Sequence, residues 1–126
     1  MHEFSVTAQI VDSVIEEVRK HNATRVDEVH LRIGELTFLG KEQVLFAYEV
    51  LSEGTVLEGS KLVIGDELVV VACTECGYEG SVEYFETLPE FHYRTPRLAC
   101  PRCGGKVDVV SGRGCTVRDI VMTVEE

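Results

Sequence analysis

Basic residues are scarce in this chain. Its 126 residues hold 12 Lys and Arg against 22 Asp and Glu, a formal net charge of −10. A nucleic-acid binder needs lysine and arginine to displace condensed counterions, and no basic stripe is present. Between Cys73 and Cys103, Glu75, Glu79, Glu83, Glu86 and Glu90 face only Arg94, Arg97 and Arg102. That small arginine patch aside, the balance suits a protein or metal-ion partner and not nucleic acid. Long apolar runs are also missing: nothing approaches the roughly 20 residues that span a bilayer. The amino terminus is not a secretion signal, because His2 and Glu3 stand in place of a basic region and Asp12, Glu16 and Glu17 interrupt the apolar positions. No GxxxxGK[ST] loop is present, so any nucleotide-driven step belongs to a partner. No Ser/His/Asp set and no paired-carboxylate pattern marks an active site, so an enzyme is not expected. There is no low-complexity segment and no flexible Gly/Ser linker.

Against these absences stand four cysteines in two matching turns, Cys73-Thr74-Glu75-Cys76-Gly77 and Cys100-Pro101-Arg102-Cys103-Gly104. A CxxC turn lets two thiolates reach one ion, and the following glycine lets backbone amides turn towards sulfur. Two such turns supply a closed tetrahedral S4 site, the usual design for structural zinc. A closed site has no open position to activate water or hold a substrate. The competing reading is rubredoxin-like Fe(Cys)4, an electron carrier. CPxCG resembles that pattern, and iron would colour the protein. Paired CxxC turns read as a reduced, cytoplasmic protein that uses thiolates for metal and not for disulfides. Cys115 is the odd one out, in a strand-like run, and reads as a small buried hydrophobe.

Periodicity outlines the rest. Residues 4–22 predict a helix, with Val11, Val14, Ile15 and Val18 on the dry face and Asp12, Glu16, Glu17, Arg19 and Lys20 on the wet one. Residues 26–34 switch to period two: Val29, Leu31 and Ile33 face one way, Glu28, His30 and Arg32 the other. A second helix is predicted over 41–52, burying Val44, Leu45, Tyr48 and Leu51, with Gly54 as C-cap. Residues 62–64, 68–71 and the segment from about Cys115 to Val124 read as strands. The expected fold is α+β: a small sheet with two helices on one face, in a β-α-β-α-β style, plus an inserted zinc ribbon. Domains are expected at 1–71 plus 112–126 for the body and 72–111 for the cysteine insertion. About 40 residues in such an insertion bury little apolar surface, so a metal would supply its folding energy.

The amino terminus offers different chemistry. Met1-His2 places three nitrogen donors in sequence: the Met1 α-amine, the His2 amide and the His2 imidazole. Binding all three closes one five-membered and one six-membered ring, three corners of a square plane. That geometry marks Ni(II) or Cu(II), which can promote loss of the amide proton. A bulky second residue protects Met1 from aminopeptidase, which keeps the register. A histidine near a free terminus more commonly does nothing. Two details favour a site: the donors run directly into a helix, and its positive end helps accommodate an amidate.

Met1-His2-Glu3, the amphipathic helix after it, the Val29-His30-Leu31-Arg32-Ile33-Gly34-Glu35-Leu36 strand, the two CxxCG turns and Gly112-Arg113-Gly114 together resemble the HypA/HybF nickel metallochaperone family. The likeness covers essentially the whole chain, in order. It implies nickel loading of [NiFe]-hydrogenase, and in some organisms urease, through the hydrogenase large subunit as recipient and a HypB-type GTPase as co-worker. It further implies that His2 is the essential nickel ligand, with the Met1 amine and adjoining amides. Glu3 occupies the position that supports the site, and Cys73, Cys76, Cys100 and Cys103 are the zinc ligands. His92, between Pro89 and Pro96, is the candidate for the fourth nickel corner. His30, on a polar strand face, and His21, at a helix end, have no metal role assigned. A homodimer through exchange of the last strand is a further expectation. Two other readings stay open: a zinc-ribbon interaction module in transcription or RNA handling, revealed by salt-dependent nucleic-acid binding, and the Fe(Cys)4 carrier.

Overall fold

The structure, a computed structural model, describes residues 2–85 and 95–125. Along the chain come α1 (Glu3–Lys20), β1 (Ala23–Gly34), a 3-10 turn (Glu35–Thr37), α2 (Lys41–Ser52), β2 (Lys61–Glu67), β3 (Val70–Cys73), β4 (Glu79–Ser81), β5 (Tyr84–Phe85), β6 (Thr95–Pro96), β7 (Val107–Ser111) and β8 (Cys115–Val124). Among the described residues, two α-helices and three small sheets make the fold α+β, the expected class. The chain opens on a helix, however, so its first elements run α-β-α-β and not β-α-β-α-β. Among the described residues no helix is long and apolar enough to cross a membrane.

Two compact units divide the chain. The first comprises Met1–Arg32, Leu39–Gly65 and Thr116–Glu126; the second comprises Ile33–Phe38 and Asp66–Cys115. In the first, α1 packs on α2. Thr7, Ile10, Val11, Val14 and Val18 are the buried stripe of α1, a spacing of three and four that keeps one face dry. Ile15 is half-buried, while Ile10 and Thr7 extend the stripe towards the amino terminus. The Thr7 hydroxyl is satisfied by donating to the Glu3 carbonyl at 2.6 Å. α2 buries Val44, Ala47 and Tyr48, an i, i+3, i+4 set. Leu45, expected inside, lies about 100° round the helix from Val44 and is 43% exposed. Gly54 follows α2 at φ +75, the left-handed conformation a helix stop favours. β1 shows the expected alternation: Val29, Leu31 and Ile33 are buried, together with Val26. It is the central strand of the order β2-β1-β8.

The second unit is built on the order β4-β3-β7. Val71 of β3 lies opposite Gly80 of β4 and Val109 of β7, both antiparallel, with a bulge at Val70/Val71. β5 and β6 form a separate short ribbon, Tyr84 opposite Pro96. Val69, Val71 and Val82 are the buried centre, with Leu36, Tyr78, Tyr84, Val107 and Val109 packed around them. Residues 68–69, expected in a strand, instead form the link before β3.

Two carboxylates hold the backbone of this unit together. Glu35 accepts from the Val69 amide at 3.2 Å and from the Tyr84 hydroxyl at 2.5 Å. Glu67 accepts from the Gly112 amide at 2.6 Å and the Gly114 amide at 3.3 Å. The same segments are cross-bonded by Gly34 donating to the Gly114 carbonyl (2.6 Å) and Leu36 to the Gly112 carbonyl (2.8 Å). A Cβ at Gly34 would collide with the Gly112 carbonyl, so only glycine allows this approach.

Candidate metal centre

β3 ends in Cys73, and the chain turns back into β4 through Cys76 and Gly77. The second turn leads from Cys100 through Cys103 and Gly104 towards β7. Both turns close alike. Cys73 donates its amide to the Tyr78 carbonyl (2.7 Å), and Cys100 donates to the Gly105 carbonyl (3.1 Å), five residues on in each case. Gly77 and Gly104 lie at φ +80 and +76, where other residues are strained. Within each turn amides aim at sulfur: Glu75 and Cys76 donate to Cys73 Sγ, and Arg102 and Cys103 to Cys100 Sγ, all at 3.4 Å, and past Gly104 the Gly105 amide donates to Cys103 Sγ at 3.4 Å.

The four sulfurs converge within 4.8 Å of one another. Cys73–Cys103 and Cys76–Cys100 are each 3.6 Å apart, sulfur to sulfur. A tetrahedron with Zn–S bonds of about 2.3 Å has S···S edges of about 3.8 Å, so the four residues fit a single ion. Cys73 and Cys100 are buried, while Cys76 and Cys103 face out. Among the described residues this is the one such group of His, Cys, Asp and Glu that could hold a metal.

Electrostatics divide the sulfurs in the same way. The Cys76 and Glu75 amides hold the Cys73 thiol below its ordinary range, against the effect of burial. Burial pushes Cys100 up, but the Cys103 and Arg102 amides and the neighbouring thiols outweigh it and bring Cys100 down to about 7. The Gly105 amide draws Cys103 down, yet Cys73, burial and the other cysteines drive it up to about 12. The Tyr78 amide lowers Cys76, but burial and the Cys100 and Cys73 sulfurs leave it raised. The first cysteine of each turn is thus shifted towards the thiolate, and the second towards the thiol. Cys115 is half-buried, and its thiol is raised by burial and by Glu67.

At the amino terminus, His2 is the N-cap of α1, extended at φ −92 and ψ 132 and without a side-chain cap. The first helical bond is Val6 donating to the His2 carbonyl at 3.1 Å. The amides of His2 and Glu3 therefore precede the hydrogen-bonded ladder and have no acceptor within the helix. His2 and Glu3 line one cavity of about 520 Å³ together with Phe4 of α1 and Glu42, Gln43, Phe46 and Ala47 of α2. Met1 and His92, the other expected nickel donors, lie outside the described residues. His21 caps the end of α1 beside Glu17 (3.5 Å), and His30 contacts Glu28 at 2.8 Å and Asp119 at 3.9 Å. Sequence reasoning missed the α2 wall of the cavity and the Glu35 and Glu67 pins. Nothing in the spacing relates residue 42 to residue 2, or residue 67 to residue 112.

Comparison with known proteins gives one answer. The family model described as hydrogenase/urease nickel incorporation, metallochaperone, hypA matches residues 1–122. A hydrogenase maturation factor HypA of Methanothermobacter thermautotrophicus is 44% identical over 95% of this chain and 95% of its own. Another from Methanopyrus kandleri is 37% identical over 98% and 94%. Among solved structures, a solution structure of HypA protein superposes with a TM-score of 0.69 at 25% identity, covering 99% of this chain and 98% of that one. The Ni metallochaperone HypA from Helicobacter pylori shares the fold, with a TM-score of 0.67 at 24% identity and coverage of 99% and 100%.

Proposed function

This chain belongs to the HypA family of hydrogenase/urease nickel-incorporation metallochaperones, maturation factors and not enzymes, and on that premise we propose that it carries Ni(II) at its amino terminus. The Met1 amine, the His2 amide and the His2 imidazole are the core donors, with Glu3 beside them. The observation that carries this reading is the state of the helix start. His2 is extended and uncapped, so its amide can ionise onto a metal without breaking a helical bond. The positive end of α1 favours the resulting amidate. Nickel is the cargo, and its recipient is the maturing large subunit of [NiFe]-hydrogenase, or urease. A HypB-type GTPase is the proposed partner for the nucleotide-driven step, the cytoplasm is the place of work, and a homodimer is an assembly to test. His92 is the proposed fourth donor.

In this reading Cys73, Cys76, Cys100 and Cys103 hold a resident zinc ion. Zinc supplies no open coordination site there, only the ordering of two turns and the strands they join. The amide-to-sulfur bonds at 3.4 Å spread the thiolate charge over the backbone.

The decisive experiment is nickel titration of untagged protein with parallel metal analysis. His2→Ala should abolish nickel binding and leave zinc content and fold intact. An N-terminal tag should do the same, because it turns the α-amine into an amide. Native nickel affinity in His2→Ala would remove the site. Binding should also weaken with acid, since amine, amide and imidazole must each lose a proton. An affinity unchanged between neutral and mildly acidic pH would exclude this donor set.

A further inference from the structure

Chelation by Met1 and His2 fixes which imidazole nitrogen meets the metal. The six-membered ring runs through the His2 amide nitrogen, Cα, Cβ, Cγ and Nδ1, so nickel takes Nδ1 and Nε2 keeps its proton. A metal-bound histidine nearly always donates that second N–H to a carboxylate, carbonyl or water, which fixes the ring and raises its basicity. The cavity around His2 contains three side chains able to accept it: Glu3, Glu42 and Gln43. Gln43 folds its carboxamide back over Gly40, into the space a Cβ there would need. Glu3 follows His2 directly in the chain as the first residue of α1, and the nickel reading above already places it beside the directly bound donors. Glu42 comes from a second helix that packs on the first, so it can face the imidazole from across the cavity. Phe4 and Phe46 line the same space, both more than half exposed.

We propose that Glu42 is a positioning residue for nickel, accepting a hydrogen bond from His2 Nε2–H in the loaded state and fixing the ring in the coordination plane. The proposal rests on the amino-terminal nickel site above. It ties an exposed chain end to α2, an element anchored by buried Val44, Ala47 and Tyr48. Loss of an outer partner of this kind typically costs about 10–100-fold in metal affinity.

Nickel(II) alone, titrated against a competing chelator into untagged protein, tests it. Glu42→Ala should bind about 10–100-fold more weakly with the same d–d absorption band, because the directly bound donors are unchanged. Glu42→Gln, which keeps an acceptor oxygen, should recover part of that loss. Square-planar Ni(II) is diamagnetic, so the Nε2–H proton of His2 should be a slowly exchanging NMR signal in the native complex and absent in Glu42→Ala. A residue that merely favours the start of α2 would move the melting temperature and leave that signal in place. Native affinity with a retained signal in Glu42→Ala overturns the proposal. So does a shifted absorption band, which would make the carboxylate a direct ligand. His2→Ala separates the two levels: if it binds nickel normally, the amino-terminal site itself is wrong, whatever Glu42 does.

Discussion

Glycines set tight tolerances in the molecule, and at Gly34 the close neighbour is backbone. Its own conformation, φ −70 and ψ 140, suits any residue. The obstacle is the neighbour: a Cβ would run into the Gly112 carbonyl, with the Gly114 oxygen 2.9 Å away. Backbone atoms in a cross-bonded pair cannot step aside as a flexible side chain can. Gly112 itself lies at φ +113 with Val69 against it, so it cannot absorb the shift. Gly34→Ala should cost at least about 2 kcal/mol through overpacking, read as a lower denaturant midpoint. Gly65, where an added Cβ meets nothing, is the control, and Gly65→Ala should be near neutral. Equal midpoints for the two variants would show that the 34/112 crossing relaxes freely.

At the scale of elements, each CxxCG turn is a device for making one thiolate early and one late. Cys100 titrates at about 7 and Cys103 at about 12. In the metal complex all four sulfurs are thiolates, so ion binding must expel the protons that Cys103 and Cys76 still carry. The metal-bound state therefore holds fewer protons than the free one, and affinity rises with pH. The rise should continue well above pH 7, because Cys103, pushed up to about 12, keeps its proton there after Cys100, at about 7, has lost its own. It should fall away in acid, where Cys100 is protonated as well. Zinc competition from pH 6 to 9 should give an affinity increasing by about ten-fold or more per unit, with proton release seen as buffer-dependent heat. A pH-independent affinity would mean the sulfurs are ionised before the ion arrives. The hydrophobic core makes a complementary prediction: Leu31, 1% exposed at the middle of β1, should cost about 2–5 kcal/mol on truncation to alanine.

These elements were legible in the sequence to different degrees, for physical reasons. Long periodic segments announce themselves: α1, β1 and α2 lie within a few residues of where periodicity puts them, because a buried stripe must repeat at the element's own period. Leu45 was misplaced because hydrophobicity alone does not say where a stripe ends. The cysteine turns were readable because ligand spacing is a covalent constraint, and their sulfurs do converge. β4 and β7 were not, since three to five residues of mixed polarity carry no period and pair only once the turns are closed. The carboxylate pins were invisible altogether. Glu35 meets Val69 and Tyr84, and Glu67 meets Gly112 and Gly114, contacts between residues 34 to 49 apart that no local pattern encodes.

For the whole molecule, the decisive contrast is between two units with unequal cores. Among the described residues the first buries a dozen or so apolar side chains, mostly from two helices and a long strand; the second is centred on the small cluster of Val69, Val71 and Val82. So small a centre cannot offset the conformational entropy of the chain around it. With zinc held as proposed, the second unit draws on metal binding, which for zinc is folding free energy outright. Chelation should therefore act unequally. Amides of β3, β4 and β7 should lose hydrogen-exchange protection when the metal is removed, while those of α1, α2 and the Val26–Leu31 stretch of β1 keep theirs. Cys73→Ala should reproduce this, and a second effect should distinguish it from general damage. His2 and its cavity belong to the first unit, built from α1 and α2, so chelated or Cys73→Ala protein should retain an unfrayed α1. If protection were instead lost everywhere together, the two units would form one cooperative structure, and the cysteine centre would set the stability of the amino-terminal helix as well.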